Sequence, residues 1–478
     1  MRPRAGRGGL HASAIDLVIE ALDASGDGVA RTRAGAVTVP FTIPGERVRV
    51  ELDRSGRSAW PLELIEPSPH RVEPRCPHFG PCGGCAWQHI TYPEQLRLKR
   101  ALVERMIRAA VADAPPVQPT LPGADLESPW GYRQKVHFVF ANASGGRGRN
   151  GRERSGPLAI GHYARGSRRV VPVRECPVHD ERGNALAFHL HRQFAAAGVQ
   201  AVGTHADQAH RAQRPSQADG VLRGLVIRVA RRTNELLTTL VVATDRDRRL
   251  RDATKRALGT APPTALHLNL HADPDAFVFG RSTRRVTGAA RLREQVAGVA
   301  FLLSPTAFFQ TNVRAAETLV ELVRAAVPEG ARVLDLYAGA GLFALPLARA
   351  GHVVTAVEES RFAVADGEAS RALNRIPEAQ CRFIARPVEA ALRSLPPADA
   401  VVLDPPRGGC AVPVLDALVG ELRPPRIVYV SCNPEPLADD LARAVREGYR
   451  IVSIQPVDMF PHTAHVETVV VLDRGGGG

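Results

Sequence analysis

The chain has 478 residues, 44% of them hydrophobic, which is enough for about three domains with sizeable cores. The formal charge is +13 and the basic side chains are almost all arginine. This charge suits a polyanion such as RNA, and an arginine-rich genome bias explains it equally simply. No secretory signal or apolar run of roughly 20 residues is recognised, and seven cysteines are too few for a disulfide scaffold. We therefore expect a cytoplasmic protein with reduced or metal-bound thiols and no membrane role.

The first predicted unit, residues 10–68, is a small β-barrel. Short β-rich runs such as RVRVELDR are separated by SGDG, PGE and SGR turns. Arginines lie in or beside these turns: Arg31, Arg33, Arg47, Arg49, Arg54 and Arg57. A barrel of the oligonucleotide-binding (OB) kind binds single strands with such a surface, but solvated arginines on a plain barrel fit the composition equally well. The segment resembles the TRAM domain, an RNA-binding barrel attached to RNA-modifying enzymes.

A cysteine motif follows the barrel. Three cysteines have the spacing C-x5-C-x2-C in CPHFGPCGGC: Cys76, Cys82 and Cys85. Thiols this close favour a soft metal centre, either zinc or an iron–sulfur cluster, over free cysteines. Both centres need a fourth ligand, for which Cys176 in VRECPVHD is the leading candidate. His78 or His89 would instead complete a Cys3His zinc site. The spacing leaves zinc and cluster open.

Residues 69–310 are predicted to form a central, mostly β domain that contains the cysteines and binds RNA. PEQLRLKRALVERMIRAA carries the apolar stripe of a helix, and 114–123 reads as a proline-rich linker. From 131 to 304 most runs are strand-like, interrupted by two polar loops at 141–157 and 203–220. The first loop carries four arginines: Arg147, Arg149, Arg152 and Arg154. They could bind RNA backbone or simply be solvated.

Residues 311–474 show the pattern of an α/β domain. ARVLDLYAGAGLFALPLARAG predicts a strand, a glycine turn at Gly339 and Gly341, and a helix. A second strand ends at Glu358, 23 residues past Asp335, where Rossmann-like folds bind a ribose diol. The D-x-x-x-G-x-G pattern suits S-adenosylmethionine (SAM), which has no pyrophosphate. Later strands continue to a terminal hairpin, and DPPR at 404–407 resembles the D/N-P-P motif of amino- and base-methyltransferases. The fold expected here is that of a Rossmann-like class I methyltransferase.

Cys432 lies at a position that favours chemistry. The apolar run IVYVS stops at Cys-Asn-Pro, and a helical pattern follows. This layout places the thiol at the carboxyl edge of a parallel sheet, where open α/β sheets bind their ligands. A buried, unreactive cysteine is the simpler alternative, and it is the interpretation that we give to Cys381 and Cys410.

Taken in order, the motifs resemble those of the RNA 5-methyluridine methyltransferases, which act on uracil in tRNA or large-subunit ribosomal RNA. The resemblance spans nearly the whole chain and includes the barrel, CPHFGPCGGC, WGYRQKVHF, SPTAFFQTN, DLYAGAGLFALPLA, LDPPRGG, VSCNP and MFPHTAHVETV. It implies that Cys432 is the nucleophile and that Glu467 is the base that removes the uracil C5 proton. It also implies contacts to SAM from four residues: Gln310, Tyr337, Glu358 and Asp404.

The same resemblance implies a [4Fe–4S] cluster on Cys76, Cys82, Cys85 and Cys176, as in the ribosomal-RNA branch. We therefore expect a SAM-dependent enzyme, a monomer, acting on a single-stranded or flipped-out uridine, more readily in ribosomal RNA than in tRNA. Two other hypotheses are a non-catalytic RNA-binding assembly factor and a cytosine-C5 methyltransferase.

Four positions depart from the family pattern. Leu342 replaces an asparagine that contacts the cofactor in the tRNA branch, which weakens that assignment. Pro436 and Asp439 replace the threonine and arginine common after SCNP, so contacts to the substrate differ there. Arg386 stands where an acidic residue often follows the third strand, which leaves the adenine end of the SAM site open.

Overall fold

The computed structural model describes residues 14–53, 55–147, 153–202, 220–272 and 278–475. The predictions about Arg54, about the arginine side chains of the 141–157 loop and about segment 203–219 fall outside these described residues. None of the described helices is both long enough and apolar enough to cross a membrane.

The N-terminal region consists of six short strands. They are β1 Ala14–Val18, β2 Ala21–Leu22, β3 Gly28–Thr32, β4 Gly35–Val39, β5 Arg47–Leu52 and β6 Ala59–Glu66. They form two three-stranded antiparallel sheets, β1-β5-β6 and β2-β3-β4, which share one core. In β5 the valines at 48 and 50 are buried and the arginines at 47 and 49 are exposed, as the period of two in a strand requires.

Two of the arginines predicted as a basic surface are paired within the sheet. Arg49 donates to Asp16 at 2.9 Å and to Glu63 at 2.7 Å, and Arg47 lies 3.5 Å from Glu66. These exposed pairs contribute little to stability. They do lower the net positive charge that this face offers to RNA.

The central region is built on a seven-stranded sheet, which confirms its mostly β character. Its strands are β7 Lys135–Arg147, β8 Glu153–Tyr163, β9 Val170–Pro172, β10 Leu222–Val229, β11 Leu236–Val242, β12 Ala265–Leu270 and β13 Ser282–Gly288. The strand order is β13-β12-β11-β10-β7-β8-β9, with β11 and β12 parallel and the other neighbours antiparallel. Helices α2, Glu181–Ala196, and α3, Arg248–Thr260, pack their apolar residues against the sheet.

The polar loop predicted at 141–157 is too long, and this prediction was wrong in extent. Strands β7 and β8 continue into it and pair Asn142 with Leu158 and Ser144 with Ser155. Glycine, serine and arginine have weak strand propensity, but the backbone ladder of a hairpin does not depend on their side chains.

The C-terminal region contains the α/β sheet expected from the sequence. Its strands are β16 Arg332–Leu336, β17 Val353–Glu358, β18 Cys381–Ala385, β19 Ala400–Leu403, β20 Arg426–Ser431, β21 Tyr449–Val457 and β22 Glu467–Arg474. Strands β14 Leu292–Val296 and β15 Val299–Leu303 form a separate hairpin before it. The helices are α4 Val313–Ala326, α5 Ala344–Arg349, α6 Arg361–Leu373, α7 Val388–Ala391, α8 Val412–Asp416 and α9 Pro434–Arg446, with a 3-10 turn at Leu392–Ser394 and a π-helical turn at Ala417–Leu422.

The order of this sheet is β18-β17-β16-β19-β20-β22-β21, with the first five strands parallel and β22 antiparallel to both of its neighbours. This topology confirms the Rossmann-like methyltransferase fold and the terminal hairpin. The connection between the hairpin strands, however, runs from Asp458 to Val466 and is longer than the PHTA turn alone.

Helix α1, Tyr92–Ala110, packs on the C-terminal sheet although it precedes the central domain. Its Val103 and Ile107 share a core with Leu437 of α9 and Ile454 of β21. The segment after α1 also runs along β21, where Leu121 N donates to Pro456 O at 3.0 Å. The predicted boundaries at 69, 310 and 311 stay predictions, and the two regions are joined by this helix.

Candidate active site

Four of the predicted site residues directly follow or end parallel strands at one edge of the C-terminal sheet. Tyr337 follows β16, Glu358 ends β17, Asp404 follows β19 and Cys432 follows one residue-step after β20 ends at Ser431. Since β16, β17, β19 and β20 are parallel neighbours, their carboxyl ends lie at the same edge. The fold therefore brings these residues to one crevice.

The glycine turn is fixed by the carboxylate of Glu358. Gly339 N donates to Glu358 Oε2 at 2.9 Å, and Ser360 N donates to Oε1 at 2.8 Å. Tyr337, Gly339 and Gly341 have φ values of 65°, 56° and 86°. An ionised carboxylate has about four acceptor sites, so Glu358 can still accept hydrogen bonds from a ligand diol.

Gly341 is required for two reasons, and Gly339 for one. A Cβ at Gly341 would lie 2.8 Å from Phe383 Cζ and 3.1 Å from Leu345 Cγ, while a Cβ at Gly339 would meet no heavy atom within 4 Å. Both residues have positive φ, which costs an L-residue about 1–2 kcal/mol.

We therefore expect Gly339→Ala to destabilise the fold by about 1–2 kcal/mol. Gly341→Ala should cost a further ~1–3 kcal/mol because of the overlap with Phe383. Urea unfolding of the two variants, compared with wild type, measures this difference. Equal losses in the two variants would contradict the steric role of Phe383.

Asp335 and Gln310 occupy positions different from those of the other predicted residues. Asp335 is fully buried, and its Oδ2 accepts from Ala344 N at 2.9 Å, at the start of α5. Burial, and then the charge of Asp404, raise the pKa of Asp335 well above its ordinary value. Gln310 is buried in the segment before α4. Two residues later, Asn312 donates to Met459 O at 3.1 Å, which places this segment beside the 458–466 connection.

The Cys432 thiol and the Glu467 carboxyl group are placed together by strand pairing. Strands β20 and β22 are antiparallel with Ser431 opposite Thr468, so the next pair in this register is Cys432 and Glu467. Opposite residues have Cβ atoms about 4.5–5.5 Å apart and project on the same side. Ser431 Oγ donates to Asn433 O at 2.9 Å and accepts from Asn433 N at 3.2 Å, which fixes the turn that carries Cys432.

The protonation of this pair is set by burial. Burial raises the pKa of Glu467 to about 8, with a further increase from Asp404 and an opposing effect of Arg407. Burial also raises the pKa of Cys432 to about 11, again increased by Glu467 and lowered by Arg407. Glu467 Oε2 has no hydrogen-bond partner within the described protein. A buried carboxyl group with a free oxygen beside a thiol is suited to proton transfer.

Arg407 is a site residue to which the sequence analysis gave no role. Its guanidinium is the cation that favours the ionised forms of both Cys432 and Glu467. Asn433 Nδ2 donates to Arg407 O at 3.2 Å, which joins the DPPR segment to the Cys432 turn. A basic residue directly after Asp-Pro-Pro was the available signal. Burial raises the pKa of Asp404, in the same segment, to about 7.

A second site is formed by the cysteines. Cys76, Cys82, Cys85 and Cys176 line one pocket of about 200 Å³, although Cys176 is distant in sequence. All four are free thiols, and burial raises the pKa of each, that of Cys85 to about 12. Bound metal would instead deprotonate them. Gly84 N donates to Cys82 Sγ at 3.4 Å, and a Cβ at Gly83 would lie 3.0 Å from Arg165 N and Tyr163 O, so the loop wraps closely.

The spacing of the sulfur atoms bears on the kind of metal. Tetrahedral zinc with Zn–S bonds of about 2.3 Å holds its sulfurs about 3.8 Å apart. Among the described residues, no three of the four cysteines have sulfurs within 4.8 Å of one another. A four-iron cluster binds each thiolate to a different iron and holds them farther apart. The pocket therefore fits a cluster better than a single zinc ion.

Three further side chains line this pocket: Arg133, His162 and His179. The ligand atoms of His162, Cys176 and His179 lie within 4.8 Å of one another, and His162 Nε2 and His179 Nδ1 have no partner. The sequence analysis named His78 and His89 as histidine alternatives. His78 lines the pocket, but His89 packs against Phe79 with ring centroids 5.7 Å apart. The C-x2-H spacing of Cys176 and His179 was the missed signal.

Comparison with known proteins identifies the family. The family described as tRNA (Uracil-5-)-methyltransferase matches residues 289–475. An uncharacterized RNA methyltransferase of Gloeobacter violaceus is 36% identical over 473 residues, which cover 97% of each chain. The chain belongs to the RNA uracil-C5 methyltransferase family.

Other similarities of this methyltransferase extend over the full length. An uncharacterized RNA methyltransferase of Thermosynechococcus vestitus is 36% identical over 96% of this chain and 97% of its own. The crystal structure of the Pyrococcus abyssi tRNA (uracil-54, C5)-methyltransferase in complex with S-adenosyl-L-homocysteine matches with a TM-score of 0.75 and 26% identity. That match covers 96% of this chain and 100% of the other. The family and fold expected from the sequence are thus confirmed, while the roles of individual residues stay predictions.

Proposed function

We propose that this methyltransferase forms 5-methyluridine in RNA, with SAM as methyl donor, Cys432 as nucleophile and Glu467 as base. The observation that carries the proposal is the pairing of β20 with β22, which sets the thiol opposite a buried carboxyl group at the carboxyl edge of the sheet. The glycine turn and Glu358 at the same edge are suited to hold the ribose of SAM. Gln310, Tyr337 and Asp404 are proposed as further SAM contacts.

The chemistry explains why a thiol is needed. Uracil C5 is too weak a nucleophile to take a methyl group directly. Cys432 Sγ adds to C6 as thiolate, forming a C6–S bond and moving an electron pair to C5 as an enolate. SAM, when bound, supplies the electrophilic methyl group that C5 takes. Glu467 then accepts the C5 proton, the C5–C6 double bond re-forms and the thiolate leaves. Reaching both faces of the base requires an unstacked uridine.

The charges of the site support these roles. At neutral pH, Cys432 is a thiol because its pKa is raised to about 11, so the thiolate forms only when positive charge enters the site. Arg407 already supplies part of that charge. Glu467, with a pKa raised to about 8, holds a proton more strongly than an exposed carboxylate and is therefore the better base.

The direct test uses RNA labelled with tritium at uracil C5. Incubation with SAM should release tritium to water and produce 5-methyluridine, detected by mass spectrometry of nucleosides. Substrates should include whole tRNA and whole ribosomal RNA. Absence of release from both would refute the proposal. Release with 5-methylcytidine as the product would support the cytosine alternative, and RNA binding without any release would support the assembly factor.

We propose ribosomal RNA as the target. The four-cysteine pocket is the feature that resembles the ribosomal-RNA branch, and Leu342 replaces the asparagine of the tRNA branch. The tRNA alternative is favoured by the similarity to the Pyrococcus abyssi enzyme, which is named for uracil 54 of tRNA. Mapping of 5-methyluridine in both RNAs of a deletion strain distinguishes them. A monomer in the cytoplasm, where thiols stay reduced, completes the proposal.

We propose further that Cys76, Cys82, Cys85 and Cys176 hold a [4Fe–4S] cluster. The wide spacing of their sulfurs and the lining of one pocket by all four support it. The methyl transfer needs no redox step, so the role of the cluster is structural.

Replacing Cys176 with alanine is expected to remove most of the bound iron and sulfide, because a cluster with three thiolates loses its fourth anchor. Iron, zinc and acid-labile sulfide are measured in anaerobically purified protein. Cys381→Ala, in the core strand β18, is the matched control and should retain the metal. One zinc per chain and no sulfide in the wild type would overturn the cluster.

A further inference from the structure

The connection between β21 and β22, residues 458–466, leads directly into Glu467. We call it the 458–466 loop. Although it is not a regular element, most of it is buried, including Asp458, Met459, His462 and Val466. Because Glu467 is the first residue of β22, any shift of this loop moves its carboxyl group relative to Cys432.

Lys99 of α1 holds this loop at three points. Its Nζ donates to Asp458 Oδ1, to Phe460 O at 3.1 Å and to His465 O at 2.7 Å. An ammonium group has three donors, so all are used on one loop. The side chains of Lys99 and Asp458 are both completely buried. Burial lowers the pKa of Lys99, and the adjacent Asp458 opposes this effect.

Other contacts fix the tip of the same loop. Gln95, one turn before Lys99, accepts from His462 N at 2.7 Å through Oε1. Ala86 N and Trp87 N both donate to His462 O, at 3.0 and 2.9 Å. His462 adopts a φ of 66° and stacks on Trp130 with ring centroids 4.0 Å apart. The loop is therefore held by α1 on one side and by the cysteine motif on the other.

A buried ion pair is an unusual means of packing two elements. Apolar side chains of the same volume would stabilise the contact as well or better, since desolvation of the charges offsets their attraction. Three hydrogen bonds from one ammonium group, however, define the loop backbone at fixed points, which apolar contacts do not. The arrangement favours position over stability.

We propose that Lys99 is a positioning residue for the base Glu467, acting through the 458–466 loop. The proposal rests on the proposed function, because it takes Glu467 as the base that removes the C5 proton. A displacement of about 1 Å in a reacting group can slow a reaction about 100-fold. Loss of Lys99 should therefore slow proton removal while leaving the addition of Cys432 largely intact.

The test separates these two steps in Lys99→Met. Addition is measured as covalent RNA adduct that survives denaturing gels, and proton removal as tritium released from labelled RNA. We expect adduct formation within about threefold of wild type and tritium release about 10- to 100-fold slower, so that methylated adduct accumulates. Lys255→Met, the same substitution at an exposed lysine of α3, should leave the ratio of adduct to product unchanged.

Removing one partner leaves Asp458 buried and unpaired, so Lys99→Met alone can fail to fold. The double variant Lys99→Met with Asp458→Leu removes both charges and keeps the site filled. Circular dichroism and SAM binding by calorimetry confirm folding. Accumulation of adduct in either folded variant supports the proposal. An unchanged ratio overturns it, and so does a parallel loss of both steps in the folded double variant.

The wild type distinguishes failure of this proposal from failure of the proposed function. If the wild type forms no adduct and releases no tritium, the proposed function is wrong, and the role of Lys99 falls with it. If the wild type performs both steps and the folded Lys99 variants match it, only the positioning role is wrong.

Discussion

Replacing Cys432 with alanine is expected to abolish the covalent RNA adduct and to lower the formation of 5-methyluridine by at least about 10⁴-fold. Without the thiolate, C5 carries no enolate and cannot attack the methyl group. Folding should be preserved, since the side chain is only partly buried and makes no structural hydrogen bond from its sulfur among the described residues. The measurements are denaturing gels for the adduct and mass spectrometry for the nucleoside.

Two controls define this result. Cys381→Ala removes a buried thiol far from the carboxyl edge and should keep near-wild-type activity per folded molecule. Cys432→Ser retains the shape of the side chain but should be nearly as inactive as alanine, because an alkoxide adds and departs poorly. Substantial methylation by Cys432→Ala would require a different nucleophile and would end the present assignment.

Glu467→Gln is expected to lower the release of the C5 proton by about 10²–10⁴-fold, the usual contribution of a general base. The amide is isosteric with the carboxyl group but cannot accept a proton. Because Cys432 is unaffected, methylated adduct should accumulate rather than disappear. Removing a charge that lies near Asp404 should not destabilise the fold. Rapid-quench analysis of adduct and tritium in one reaction measures both steps.

The pH dependence checks the same assignment independently. Glu467 acts in its deprotonated form, and burial raises its pKa to about 8. The breakdown of pre-formed adduct, in which Cys432 is bonded to C6 and cannot titrate, should therefore quicken about tenfold per pH unit below pH 8 and become constant above it. Glu467→Gln should show no such dependence. Rapid breakdown of the adduct in this variant would assign the base to another group.

Local sequence patterns predicted the parallel strands and the glycine turn well. Arg332–Leu336 and Val353–Glu358 are continuous apolar runs followed by residues with strong turn preferences, so each segment has one plausible structure. The four cysteines were predicted to meet because thiols in such spacing have few other uses, and they do line one pocket. The 141–157 loop failed for the opposite reason, since its composition is weak evidence and the hairpin ladder prevailed.

Contacts between distant segments were not predictable. The apolar stripe of α1 predicted a buried face, but it did not reveal that this face packs on α9 and β21. Lys99 looked like an ordinary solvated lysine on that helix, whereas it is fully buried against Asp458. Arg407 and His179 were present in quoted motifs, yet their roles depend on what lies opposite them in space.

The sequence by itself determined the elements, the family and the residue types needed for a thiol-based methyl transfer. These follow from local preferences and motif order, which act along the chain. Only the tertiary structure decided that Cys432 and Glu467 face each other, because that depends on β22 entering the sheet between β20 and β21. It likewise decided that Lys99 holds the 458–466 loop, since burial of a charge is fixed by packing between segments 359 residues apart.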